Sequence, residues 1–196
     1  MIKIGITGGI GSGKSVVCRL LSVYNIPIYD ADKEAKSLNN TSPIVKSKLK
    51  DRFGEDIYIN DQLDKAKLAS FIFNDKDNLL YVNSVIHTEL AKHFIEWMDK
   101  HSSFDIVAID AAVLLEAGFQ KYLDKVITVT SPINVRIDRV SKRDNLTQEQ
   151  IQSRIKSQMT DEERIELSDF VIINDNSKSI IKQVEFIIHK LSSNPH

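Results

Sequence analysis

Ile2-Lys3-Ile4-Gly5-Ile6-Thr7-Gly8-Gly9-Ile10-Gly11-Ser12-Gly13-Lys14-Ser15 is the stretch that decides the fold of this chain. Ile2 to Ile6 is a compact apolar run suited to a buried strand, and Val16, Val17, Leu20, Leu21 and Tyr24 then recur at helical spacing. Between them, Gly8 to Ser15 spells G-x-x-x-x-G-K-S. Strand, glycine loop and helix form the setting in which this spacing builds a phosphate site. The glycines let successive backbone N–H groups converge on phosphate oxygens, and the start of the following helix adds partial positive charge. Lys14 is placed to reach the β- and γ-phosphates, and the Ser15 hydroxyl to ligate Mg²⁺. The stretch predicts nucleoside triphosphate binding.

Outward from the loop, the 196 residues suffice for one α/β core plus small insertions. Hydrophobic residues at 42% and charged residues at 27% are ordinary for a soluble globular protein. A formal net charge of −1 gives no pull toward nucleic acid or anionic membrane, so neither is expected as a partner. Nor does any segment mark an obligate protein partner. Cys18 is the only cysteine, which excludes an intramolecular disulfide and a thiolate metal cluster and reads as a packing residue. The chain enters a strand almost at once without a signal-peptide pattern, and no apolar run approaches the ~20 residues of a membrane span. A cytoplasmic location is expected.

Further strands are predicted at Ile26–Tyr29, Phe104–Ile109, Lys125–Val129 and Phe170–Ile173. Residues from Lys33 to about Lys100 carry helical patterns broken at Thr41-Ser42-Pro43, Phe53-Gly54 and Asn60-Asp61, with no convincing strand. Asp64 is placed to cap a helix through Phe73, and a long amphipathic pattern runs from Leu79 to Met98. Ser131-Pro132 is a helix start; Thr147 with Gln150, and Thr160 with Glu163, fit capping boxes. Ile180 to Leu191 forms a closing helix, and Ser192 to His196 is expected to fray. Strands alternating with helices imply a parallel five-stranded α/β sheet covered on both faces.

Which kind of phosphate-loop protein follows from what surrounds the loop. A GTP-binding switch needs D-x-x-G after its metal-binding strand, yet Asp110 is followed by Ala111-Ala112-Val113. Asn74-Asp75-Lys76-Asp77 has the letters of a base-reading motif in the wrong order. An ATPase motor would need signature motifs that are not found. A small-molecule kinase, whether for a nucleoside or another small metabolite, needs an acceptor-orienting group and cations over the transferring phosphate. Asp30-Ala31-Asp32 follows the second strand, where ligands collect in open α/β sheets. Asp32 is assigned to the acceptor hydroxyl and Asp30 to a helix cap. Arg136, Arg139 and Arg143 fall on one helix face as candidate cations, with Arg154 on the next helix. Asp110, at the end of a strand, is read as a metal-water site rather than a plain cap. His87 is open between a packing role and a ligand contact. Glu116 is open between a loop salt bridge and the acceptor site, and no other histidine shows a metal-ligand pattern.

In these motifs the chain resembles the dephospho-coenzyme A kinase family. The opening Ile6 to Ser15, Asp30-Ala31-Asp32, Arg52-Phe53-Gly54, Leu63-Asp64 and His87 match its first half. Asp110, Leu114-Leu115-Glu116-Ala117-Gly118, Arg139, Arg143-Asp144, Arg154, Gln158, Asp169 and Asn174 match its second. The resemblance implies phosphorylation of the ribose 3′-hydroxyl of dephospho-coenzyme A, with ATP as co-substrate and Mg²⁺ as cofactor. It implies a nucleotide-binding core of residues 1–32, 101–131 and 165–196, a helical coenzyme-binding insertion at 33–100 and a lid at 132–164. By position, Gly11, Ser12, Gly13, Lys14, Ser15 and Val16 bind ATP, joined by Arg143 from the lid. Lys14, Asp32 and Arg139 serve the chemistry, Thr7, Asp32 and His87 the acceptor, and Ser15 and Asp110 the metal. Val16 stands where the family usually has a hydroxyl residue, which implies one side-chain contact to the α-phosphate fewer.

Overall fold

Alternating apolar runs and amphipathic stretches become alternating strands and helices in the computed structural model, which describes residues 1–144 and 146–193. The elements in chain order are β1 (Ile2–Thr7), α1 (Lys14–Val23), β2 (Ile28–Asp30), α2 (Ala31–Thr41), α3 (Pro43–Phe53), β3 (Tyr58–Ile59), β4 (Gln62–Leu63) and α4 (Lys65–Ile72). They continue with α5 (Lys76–Lys100), β5 (Ile106–Asp110), β6 (Lys125–Thr130), α6 (Ile133–Asp144), α7 (Gln148–Lys156), α8 (Asp161–Glu166), β7 (Phe170–Ile173) and α9 (Ile180–Ser193). Short 3₁₀ turns lie at Glu55–Ile57 and Phe119–Tyr122. The chain divides into two compact units, residues 30–100 and the remainder.

In the larger unit the sheet has the order β2-β5-β1-β6-β7. β1 pairs in parallel with β5, Ile6 opposite Asp110, and with β6, Thr7 opposite Thr128. β7 adds in parallel to β6. β1 is central in the sheet and covered on both faces, Ile4 and Ile6 on one and Gly5 under Leu114 and Leu123 on the other, which is why it reads as a continuous apolar run. Ile4, Ile6, Ile106, Ala108, Ile127, Val129 and Ile172 share one core with Val17 and Leu21 of α1 and Val184, Ile187 and Leu191 of α9. Alternation sends Val107, Ile109 and Val126 to the opposite face, all buried. There Leu114 and Leu123 press onto Gly5, and α8 packs on β6. All five predicted sheet strands form, with ends shifted by one or two residues.

The smaller unit is mostly helical. Ser42 caps α3, its hydroxyl accepting from Val45 N–H at 3.2 Å, with Pro43 opening the helix. Asp64 caps α4 as predicted, accepting from Lys67 N–H at 3.0 Å. Val45, Leu49, Phe53, Ile57, Leu63, Leu68, Val82 and Val85 form its core. The expectation of no strand here is corrected by the antiparallel pair β3–β4. Its turn is Asn60-Asp61, both left-handed (φ 49° and 66°), the conformation a tight hairpin demands. Two-residue strands are too short to show alternation. In the larger unit both capping boxes, at Thr147 and Thr160, are present. The expected fraying ends differently: α9 extends through Ser193, and residues 194–196, His196 among them, lie outside the described residues.

Candidate active site

Three backbone carbonyls of the phosphate loop are tied outward by side chains. Ile10 C=O accepts from Arg136 Nε at 2.9 Å. Gly11 C=O accepts from Arg139 Nη1 at 3.4 Å. Ser12 C=O accepts from Arg139 Nη1 at 3.4 Å and from Asn174 Nδ2 at 2.8 Å. A trans peptide is planar, with C=O and the following N–H opposed, so anchoring the Ile10 and Ser12 carbonyls turns the N–H groups of Gly11 and Gly13 to the other side. The result is a concavity of donors, a nest for an anion. Gly13 has φ 94°, and a Cβ there would collide with the Asn174 amide. It precedes α1 without any side-chain cap, leaving the helix N-terminus open to a phosphate. Ser12 Oγ is buried and has no hydrogen-bond partner.

Lys14 forms an ion pair with Asp110. The strand register explains the meeting: Asp110 ends β5 beside Ile6 of β1, and β1 runs on into the loop. Ser15 and Val16, in the first turn of α1, are exposed. Val16, Arg19, Leu20, Asn174, Asn176 and Ile180 line a cleft of about 620 Å³ between α1 and the start of α9. Thr7 is fully buried, its hydroxyl donating to Ala112 C=O at 3.4 Å, and so ties the end of β1 to the loop after β5.

The three arginines that share one face by spacing have three different surroundings. Arg136 is 5% exposed and pairs with Asp161 at 2.9 Å. Arg139 reaches, besides the loop carbonyls, Ser131 Oγ at 3.3 Å and Asn174 C=O at 3.1 Å. Arg143 is exposed and paired with its neighbour Asp144 at 2.7 Å, which holds the Asp144 carboxyl below its ordinary range. Asp161 also accepts from Arg164 at 3.4 Å, and Arg164, with no exposed surface, donates to Glu116 at 3.1 Å. The salt bridge left open for Glu116 is therefore present. Removing one member of such a network strands the rest at a cost of about 3–5 kcal/mol.

In the smaller unit, Asp30 caps α2, accepting from Lys33 N–H at 2.9 Å, as the sequence reading assigns it. Asp32 lies exposed in the first turn of α2. His87 is half-buried on α5, and burial pushes its imidazole pKa down. The described residues contain no group of three or more histidines, cysteines or carboxylates suited to a metal. Ser15 and Asp110 each offer oxygen, the donor type that Mg²⁺ takes, one or two from the protein beside water and phosphate. No helix among the described residues is long and apolar enough to cross a membrane.

Sequence reasoning gave no site role to Asn174, Asp161 or Gln158, whose side chain accepts from Ile10 N–H. Asn174 directly follows β7, at the carboxyl end of the sheet where ligands collect, and that position, with the family match of Asn174 and Gln158, was the available signal. Asp161 and Gln158 meet their partners only in three dimensions.

Known proteins align with this arrangement along nearly the whole chain. The family model for dephospho-CoA kinase matches residues 2–179. A dephospho-CoA kinase of Bacteroides fragilis is 42% identical, the match covering 100% of this chain and 95% of the relative. One from Porphyromonas gingivalis is 41% identical over 96% of this chain and 93% of its own. A crystal structure of a Thermus thermophilus protein superposes with a TM-score of 0.81 at 28% identity, covering 100% of this chain and 98% of that one. The phosphate loop, the sheet that carries it and these matches together place the chain in the dephospho-CoA kinase family.

Proposed function

We propose that this chain transfers the γ-phosphoryl group of ATP to the ribose 3′-hydroxyl of dephospho-coenzyme A, giving coenzyme A and ADP in the last step of coenzyme A synthesis. The observation that carries the reading is the nest made by tying the Ile10, Gly11 and Ser12 carbonyls outward, in a chain of this family. The hydroxyl oxygen bonds to the γ-phosphorus while the bond to the β–γ bridging oxygen breaks, and the hydroxyl proton is lost. Phosphoryl transfer of this kind asks chiefly for positioning and charge stabilisation.

The Gly11 to Val16 backbone cradles the phosphates, and Lys14 turns from Asp110 to the transferring group. Ser15 and Asp110 would hold Mg²⁺, which when bound neutralises charge on the β- and γ-phosphates. Arg139 backs the loop, and Arg143, on the exposed end of α6, supplies a second cation. Asp32 orients the acceptor hydroxyl, a role supported by the commitment of neighbouring Asp30 to its cap. Thr7, through the loop it holds, and His87, on α5, are each assigned to the acceptor. The single, buried Cys18 thiol suits a cytoplasmic setting.

The test is purified protein with Mg-ATP and a panel of dephospho-coenzyme A, adenosine and shikimate. Coenzyme A should form in step with ADP from the first acceptor only. Rapid phosphorylation of another acceptor with no coenzyme A would overturn the reading.

A further inference from the structure

Ile10, at the tip of the phosphate loop, is held at both of its backbone polar groups. Its C=O takes Arg136 Nε and its N–H donates to Gln158 Oε1, each at 2.9 Å. Arg136 is itself fixed, buried and paired with Asp161. The segment carrying Gln158 is fixed too. Gln158 N–H donates to Ile155 C=O at 3.2 Å, Met159 N–H to Glu116 Oε1 at 3.4 Å, and Thr160 begins the α8 capping box. The amide oxygen of Gln158 is therefore delivered to the loop by a braced strap between α7 and α8.

Few other bonds shape this tip. Within the loop, Ser12 N–H donates to Gly9 C=O at 3.1 Å. Arg136 fixes the peptide plane between Ile10 and Gly11, and with it the direction of Gly11 N–H. The plane between Gly9 and Ile10 is held at its oxygen by the turn bond from Ser12 and at its nitrogen by Gln158, which ties it to the segment between α7 and α8. Glycine on one side lets the plane tilt about the turn bond when the Gln158 bond is absent. We propose that Gln158 is a positioning residue for the phosphate loop: it sets affinity for ATP by locking the Gly9–Ile10 peptide and does not itself touch substrate. A neutral amide suits the place. A carboxylate could accept the same bond, but would put a negative charge next to a site built for a triphosphate.

The inference rests on the kinase reading above only in taking ATP as the loop's ligand. Calorimetric titration with Mg-ATP needs no acceptor, so a failure to make coenzyme A and a failure of this proposal are distinct results. Gln158→Met keeps the length and loses the acceptor, and should weaken Mg-ATP binding about five- to tenfold. The thermal midpoint and the KM for dephospho-coenzyme A should stay at wild-type values. Gln158→Glu keeps an acceptor of the same reach but is ionised at neutral pH, since an ordinary glutamate titrates at about 4.3. Relative to wild type at the same salt, its binding deficit should shrink as salt is raised. The Gln158→Met deficit should be the same at low and high salt. Wild-type affinity in Gln158→Met would overturn the proposal. So would equal losses in ATP affinity, acceptor KM and thermal midpoint, or a Gln158→Glu deficit that ignores salt.

Discussion

The Lys14 ammonium is paired with the Asp110 carboxylate, and the two side chains expose only 16% and 17% of their surface. The pair joins the phosphate loop to the end of β5, the strand beside it. In the proposed reaction this pair parts, Lys14 turning to the phosphates and Asp110 to the metal. Removing the lysine takes away a charge-stabilising donor, worth roughly 10²–10³ in rate. Lys14→Ala should lose turnover on that scale while unfolding as one cooperative transition; near-normal turnover in the folded variant would reject the assignment. Asp110→Asn should lower turnover and raise the Mg²⁺ concentration required, read from a metal titration of the rate.

Asp30 and Asp32, two residues apart, are expected to fail in different ways. Asp30 accepts from Lys33 N–H as the α2 cap, so Asp30→Ala should cost about 1 kcal/mol of stability. Asparagine caps nearly as well, so Asp30→Asn should be close to silent in thermal unfolding. Asp32→Asn retains size and loses charge; turnover should fall steeply with ATP affinity kept. If calorimetry shows ATP binding collapsing while single-turnover transfer stays fast, Asp32 belongs to the nucleotide side.

The α6 arginines show what the sequence could and could not reveal. Spacing correctly put Arg136, Arg139 and Arg143 on a helix and toward one side, because that depends only on local geometry. It could not give depth. Arg136 is buried because Asp161, from α8, is there to pair with it, and Arg143 is exposed near the helix end beside Asp144. Caps and sheet strands were legible for the same reason: Asp64, Thr147 and Thr160 act within four residues, and five apolar runs mark a covered sheet. The Gln158 contact to Ile10 spans 148 residues and leaves no local mark.

Asp169 gives a pH test of how the sheet positions Asn174. Its carboxylate accepts from Val126 N–H and from Lys125 Nζ, both at 2.8 Å, stapling the start of β7 to β6. Burial pushes its pKa up, but the Lys125 and Val126 hydrogen bonds outweigh that and hold it below the ordinary range. With the folded value depressed, the stabilisation is complete above the unfolded value of about 3.9 and is lost as pH falls through the folded one. The stability gap between wild type and Asp169→Asn should therefore be constant near neutrality and close below about pH 4. A gap that persists unchanged at lower pH would show that the charge of Asp169 is not what holds β7.

Arg139→Lys separates charge from geometry at the loop. The guanidinium contacts Gly11 C=O, Ser12 C=O, Ser131 Oγ and both the backbone and side-chain oxygens of Asn174, between 3.1 and 3.4 Å. An ammonium has three donors and no planar fork, so it cannot span oxygens on the loop, on β7's end and at the start of α6 together. Lysine should therefore be a poor substitute, with a rise in KM for ATP alongside a fall in turnover. The same contacts, with those of Arg136, tie the first turns of α6 to the loop. Any closing of the proposed lid at 132–164 must then pivot beyond Arg139, carrying the exposed Arg143 and Arg154. Hydrogen exchange should show residues 133–139 protected with or without Mg-ATP and dephospho-coenzyme A. Residues 146–156 should gain protection only with both. Protection of the second segment that ignores ligands, together with full activity of Arg139→Lys, would leave α6 and α7 as a static cover and end the lid proposal.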